Sequence, residues 1–302
     1  MLDAEFVLDD QARRRLTDRF GAAAGPWCDE LPALAGRCCA RWGLDLDTAI
    51  SGGTSRLFAA RQRTGRRVVL KLTPDPAIAA GEAGALRAWA ANPQAVDLLD
   101  ADLDAGALLL EQLIPGTKLR NRPGPLPLAN VAALLTTLRE SPAISAGPLP
   151  TLTDRIAFIF GLVTQRRASS GVAPHVPESQ IQRSYQAALA LAVSGPAGLV
   201  HGDLHPGNVL DAGPNRGLVV IDPRPCTGDP DFDAVDWALA RTTTISQVSD
   251  RISQLSALVP GLDSDRLWQW CAATAIIIAV QHLYRHPPNA TIALMLQLAA
   301  ST

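Results

Sequence analysis

The decapeptide His201-Gly202-Asp203-Leu204-His205-Pro206-Gly207-Asn208-Val209-Leu210 is the part of this chain best suited to chemistry, and Val219-Val220-Ile221-Asp222-Pro223 follows shortly after it. Together they offer a carboxylate at Asp203, an amide oxygen at Asn208 and a second carboxylate at Asp222, at the end of an apolar run. Asn208 and Asp222 are hard oxygen donors of the kind Mg²⁺ prefers. Asp203 can then accept or orient the proton of an attacking hydroxyl. Phosphoryl transfer needs that combination, positioning plus a cation that neutralises phosphate charge.

Two other readings compete for the same residues. Asp-x-x-x-x-Asn alone is common and marks many solvated loops, but the following strand ending in Asp222 makes the full pattern far more specific. His201-x-Asp203-x-His205 superficially offers zinc ligands, yet the remaining histidines, His175, His282 and His286, lie far away in sequence.

The elements around these residues change character along the chain. The first ~45 residues read as helical. Leu31, Leu34, Ala35, Cys38 and Trp42 recur at helical spacing, and Gly43 suits a C-cap. Ser51-Gly52-Gly53-Thr54-Ser55 is a small-residue turn. Leu57 to Ala60, the turn Arg63-Thr64-Gly65-Arg66 and the β-rich Arg67 to Leu72 then read as a hairpin. Residues 77–91 follow as a helix with Glu82, Leu86 and Trp89 on or near one face, and Ala107 to Leu113 closes a β-rich part. Beyond it, residues 128–140, 152–167, 178–193, 247–258 and 264–283 show helical periods. The island 199–236, with short strands at 199–200, 208–210 and 218–221, interrupts them. Two parts are expected, 1–113 and 114–302.

Composition narrows the function classes. A 302-residue chain with 47% hydrophobic and 19% charged residues is globular. A net charge of −2 supplies no basic excess for nucleic acid. The apolar run Cys271 to Val280 is far shorter than the ~20 residues of a membrane span. The acidic N-terminus is unlike a signal peptide, so a cytoplasmic protein is expected. Five cysteines without a C-x-x-C argue for reduced thiols rather than disulfides or structural zinc. Of 27 basic residues only Lys71 and Lys118 are lysine. A lysine kept against such an arginine bias suggests a task that needs a compact ammonium.

The segment 199–236 resembles the catalytic and metal loops of the aminoglycoside phosphotransferase superfamily, whose members are similar to protein kinases. His201-Gly202-Asp203-Leu204-His205-x-x-Asn208 stands for the kinase catalytic loop, and Gly228-Asp229-Pro230-Asp231-Phe232-Asp233-Ala234-Val235-Asp236-Trp237 resembles the family's following segment. Asp222-Pro223 departs from the Asp-Phe-Gly of protein kinases. Residues 26–43, Leu86-Arg87-Ala88-Trp89, Leu109-Leu110-Glu111 and Ile221-Asp222-Pro223 further resemble the branch of streptomycin 6-phosphotransferases and hydroxyurea kinases.

The resemblance implies an α+β, bilobal protein-kinase-like fold with the site in its cleft. It implies ATP and Mg²⁺ as cofactors and a small hydroxyl-bearing acceptor. Asp203 would be the catalytic aspartate, Asn208 and Asp222 the magnesium ligands, and His201 a structural residue bonded to backbone. Lys71 would hold the nucleotide phosphates and Glu82 would orient it. Ser51, Gly52, Gly53 and Thr54 would cover the phosphates, and Glu111 and Leu113 would form the hinge that meets adenine. A polycationic acceptor needs acids, and Asp229, Asp231 and Asp233 are candidates to line its pocket, although an aspartate there also suits helix capping. A metabolite kinase of the same fold, for an amino alcohol or a sugar, and a non-catalytic nucleotide-binding module remain open beside it.

Overall fold

The computed structural model describes residues 8–50, 52–140, 149–169 and 171–302. The chain divides into two compact units, Met1–Gly116 and Thr117–Thr302.

The first unit begins with helices α1 (Asp10–Phe20) and α2 (Ala24–Trp42). Asp9 caps α1 by accepting from the Ala12 N–H. Gly43 ends α2 in the left-handed conformation, at φ 61°, where a Cβ would be unfavourable. Strands β1 (Leu44–Ile50), β2 (Arg56–Gln62), β3 (Arg67–Leu72), β4 (Leu98–Asp102) and β5 (Ala107–Glu111) form one antiparallel sheet in the order β1-β2-β3-β5-β4. Helix α3 (Pro76–Ala88) lies in sequence between β3 and β4, with Asp75 as its N-cap and Pro76 opening it.

Strand alternation decides what each face of this sheet does. Val68, Leu70 and Leu72 of β3, with Phe58 and Ala60 of β2 and Ala107 and Leu109 of β5, pack against Leu31, Leu34 and Cys38 of α2 in one apolar core. Lys71, out of phase with that set, points to the other face, toward α3. Ala79, Glu82, Ala83 and Leu86 are buried on α3 at helical spacing, so Glu82 sits within the apolar stripe of its helix.

The second unit is mainly helical. A short strand β6 (Thr117–Lys118) and a 3₁₀ turn Leu119–Asn121 lead to α4 (Leu128–Arg139), α5 (Leu152–Ser169) and α6 (Glu178–Ser194). Four short strands follow: β7 (Gly198–Val200), β8 (Val209–Asp211), β9 (Leu218–Val220) and β10 (Cys226–Gly228). β7 pairs with β10, and β6, β8 and β9 form a second small sheet. A 3₁₀ turn Pro230–Ala234 and α7 (Val235–Leu239) precede α8 (Ile245–Leu258), α9 (Ser264–Leu283) and α10 (Ala290–Ala299). The expected apolar helix around Cys271 is α9, whose residues Trp270 to Ile277 are buried. No helix among the described residues is long and apolar enough to cross a membrane. All five cysteines are free thiols.

Candidate active site

In the first unit, Lys71 Nζ lies 2.5 Å from Glu82 Oε2, with the two side chains only 5% and 1% exposed. The pairing follows from the elements: alternation turns Lys71 out of the α2-side core, and the helical stripe turns Glu82 toward the sheet. An ion pair that costs this much desolvation needs a reason beyond stability. Between β1 and β2 the glycine turn is tight at Gly52, where an added Cβ would come within 2.5 Å of both Leu57 Cδ1 and the Ser55 carbonyl. Gly53 and Thr54 continue this turn, and Ser51 lies outside the described residues. Glu111 ends β5 half-buried, its Oε1 accepting from the Asp97 N–H at 2.8 Å. Leu113 follows, partly exposed, just past the strand.

In the second unit the His201–Asn208 loop joins β7 to β8, and Asp222 lies two residues past the end of β9. Gly202 adopts φ 74°, and a Cβ there would sit 2.2 Å from the Arg224 carbonyl oxygen, so only glycine fits. His201 is fully buried. Its Nε2 donates to the Ile221 carbonyl at 3.1 Å and its Nδ1 accepts from the Asp203 N–H at 3.3 Å. Both ring nitrogens thus serve the backbone, which leaves neither for a metal. Burial pulls the imidazole down to about 4, so it is neutral at ordinary pH.

Asp203 is held from two sides. Asn208 Nδ2 donates to the Asp203 carbonyl at 2.9 Å and to its Oδ2 at 3.1 Å, and Arg155 Nη2 reaches Oδ1 at 3.2 Å. With its NH₂ so engaged, Asn208 presents its Oδ1 as an acceptor. The β8–β9 register pairs Val209 with Val220, and the Ile221 N–H donates to the Asn208 carbonyl at 2.9 Å. Asn208 and Asp222 are therefore brought together across one hairpin end. Asp222 has φ 57°, an uncommon backbone state for a residue with a side chain and one that concentrates at functional sites. Arg224 Nη2 lies 3.4 Å from Asp222 Oδ1. An amide and a carboxylate, with remaining positions open to water and phosphate, fit Mg²⁺ better than zinc. Among the described residues no group of three or more His, Cys, Asp or Glu is placed to hold a metal.

The acids expected to line a substrate pocket have inner partners instead. Asp229, fully buried, caps the following 3₁₀ turn and accepts from Arg266 Nε at 2.5 Å and Trp270 Nε1 at 2.7 Å. Asp231 pairs with Arg139 at 2.5 Å. Asp233 accepts the backbone N–H groups of His201 at 2.6 Å and Gly202 at 2.9 Å. Burial pushes Asp233 up to about 7, against the pull of those two donors. Each of these aspartates ends on a polar group that folding brings inside. Asp233 instead becomes the floor of the His201–Asn208 loop. Sequence reading gave no role to Arg139, Arg224 or Arg266. The only signal for Arg224 was its place two residues past Asp222.

A family model for aminoglycoside/hydroxyurea antibiotic resistance kinases matches residues 41–284. The chain belongs to this family. It is a kinase, a phosphotransferase with a hydroxyl group as acceptor. It is 33% identical over 261 residues to a hydroxyurea phosphotransferase of Kitasatospora aureofaciens, covering 83% of this chain and 73% of that protein. It is 32% identical over 264 residues to a streptomycin 6-kinase of Streptomyces glaucescens, covering 83% and 82%. The fold is the kinase-like α+β fold. The choline kinase LicA of Streptococcus pneumoniae superposes with a TM-score of 0.62 at 15% identity, over 90% of this chain and 98% of that one. An aminoglycoside phosphotransferase crystallised with ADP and hygromycin B gives 0.54 at 18% identity, over 88% and 96%.

Proposed function

We propose that this kinase transfers the γ-phosphoryl group of ATP to a hydroxyl of a small antibiotic, a streptomycin-like aminoglycoside or hydroxyurea, in the cytoplasm. The observation that carries the reading is the doubly held Asp203 beside Asn208 and Asp222 on one hairpin end. Asp203 orients the acceptor hydroxyl and receives its proton as the bond to phosphorus forms. Asn208 Oδ1 and the Asp222 carboxylate are the groups that would hold magnesium, which supplies charge neutralisation on the phosphates. In the first unit, Lys71 takes the α- and β-phosphates, and Glu82 keeps its ammonium aimed. The backbone of residues 52–54 covers the phosphates, and Glu111 to Leu113 meets the adenine edge. These roles match the donor types and burial described above, and the family relatives named for streptomycin and hydroxyurea supply the acceptor class.

With Asp229, Asp231 and Asp233 all paired internally, a polycationic acceptor must find its acids elsewhere. The acceptor is therefore best assigned by a panel: ATP consumption with streptomycin, other aminoglycosides, hydroxyurea, choline, homoserine and hexoses. Asp203→Ala is expected to lower turnover on the best acceptor by 10³-fold or more. Its Mg-ATP affinity, read by isothermal titration, should change little. Wild-type turnover in that variant would overturn the assignment, and Mg-ATP binding without turnover on any acceptor would favour a binding module.

A further inference from the structure

Helix α5 starts next to the catalytic loop for reasons that are visible in the backbone. Thr151 bridges to Thr227 of β10, and the Thr227 N–H donates to the Pro150 carbonyl at 2.9 Å. β10 pairs with β7, which runs directly into His201. The first turn of α5 is thus tied to the strand that delivers Asp203, and Arg155 stands on that turn.

Arg155 uses two adjacent donors of its guanidinium on two consecutive residues. Nε donates to the Gly202 carbonyl at 2.9 Å, and Nη2 to Asp203 Oδ1 at 3.2 Å. A planar fork of this kind fixes the carboxylate relative to its own main chain, which a lysine with one nitrogen cannot do. Asn208 holds the other carboxylate oxygen from the opposite side. The exposures are asymmetric: the arginine side chain is 14% exposed and the aspartate 36%. Here the cation is behind and the anion in front, which presents an oriented carboxylate to solvent.

We infer that Arg155 is a positioning residue for phosphoryl transfer, acting through Asp203; the inference rests on the role proposed above for Asp203. Arg155 holds the Asp203 carboxylate in one rotamer, ready to receive the acceptor hydroxyl. It also offsets part of the charge of Asp203, which suits an aspartate that orients a nucleophile more than one that must deprotonate it early.

The test is a double-mutant cycle of Arg155→Met, Asp203→Asn and the pair. Mg-ATP turnover is measured with water as acceptor, and again with streptomycin and with hydroxyurea. Arg155→Met should lower kcat at least tenfold, with KM for ATP and the Mg-ATP dissociation constant within twofold of wild type. In the Asp203→Asn background the same change should cost less than twofold, because the group it positions is gone. Arg155→Lys should recover only part of the rate. If Arg155→Met does not fold, Arg155→Lys carries the test, with a severalfold lower kcat at unchanged Mg-ATP affinity.

Wild-type kcat in the folded Arg155 variants, with kcat strongly lowered but measurable in Asp203→Asn, overturns the inference and leaves Asp203 in place. A parallel loss of Mg-ATP affinity, or a full additional loss in the double mutant, makes Arg155 merely structural and overturns it too. Wild-type turnover in Asp203→Asn removes the role of Asp203 and this inference with it.

Discussion

Replacing Lys71 by methionine separates stability from chemistry in the first unit. The Nζ–Oε2 distance is 2.5 Å and both side chains are almost entirely buried, at 5% and 1% exposure. Lys71→Met removes the cation and leaves the Glu82 carboxylate beneath the sheet, on a helix face otherwise lined by Ala79, Ala83 and Leu86. Removing one partner of a buried pair costs about 3–5 kcal/mol, because the other charge remains enclosed. Lys71→Met/Glu82→Leu removes both charges and fills similar volume with apolar atoms. Such replacements are neutral or stabilising by about 1–4 kcal/mol. The double variant should therefore recover the stability that the single variant loses. On the role proposed for Lys71, it should nevertheless remain inactive, with weakened Mg-ATP binding, since the ammonium proposed to hold the phosphates is gone. Guanidinium unfolding followed by circular dichroism gives the stabilities, and coupled ATP turnover gives the activity. A single variant within about 1 kcal/mol of wild type would refute the burial argument. A double variant as unstable as the single one would refute the claim that the pair is not kept for stability. A double variant with wild-type turnover would refute the role of Lys71.

The other expectations concern the frame of the His201–Asn208 loop. Asp233→Asn puts an NH₂ group against one of the backbone N–H groups of His201 and Gly202, which now donate to the carboxylate. The unmet buried donor should cost about 1–3 kcal/mol, and turnover should fall while Mg-ATP affinity holds; unchanged thermal stability and turnover would contradict the geometry. His201 titrates at about 4 in the folded chain against the usual 6.5, so the native state binds fewer protons than the unfolded state between those values. Its contribution is fully present above about pH 6.5 and is lost as pH falls toward 4, a difference of about 3 kcal/mol. Asp233, raised to about 7, acts with the opposite sign, losing stability as pH rises from about 4 to 7. Comparing wild type with His201→Gln isolates the histidine: the stability difference should shrink by that amount as pH falls, and parallel pH profiles would refute it.

Much of this fold was open to sequence reading because the signals are local. Hydrophobic spacing marked α2, Gly43 marked its end, and the β-branched run with the Thr64-Gly65 turn marked the β2–β3 hairpin. The helical stripes of α4, α5, α6, α8 and α9 were equally plain. Strand β1 and helix α10 went unnoticed. β1 reads Leu-Asp-Leu-Asp-Thr-Ala-Ile, half polar, and becomes a strand by pairing with β2. α10 lacks a polar face, so periodicity gave it no signature. The pairing of Lys71 with Glu82 is also near-local, since a strand and the next helix carry them and only eleven residues separate them.

The sequence by itself determined which residue types were available for phosphoryl transfer and the spacing of Asp203, Asn208 and Asp222 along one hairpin. Only the tertiary structure decided which acids face outward. Asp229, Asp231 and Asp233 look alike on paper, yet their partners Arg266, Arg139 and the His201 N–H lie 37, 92 and 32 residues away. Arg155 meets Asp203 across 48 residues. Burial and pairing of a charge depend on what the folded chain packs against it, and contacts at such separations leave no periodic trace in sequence.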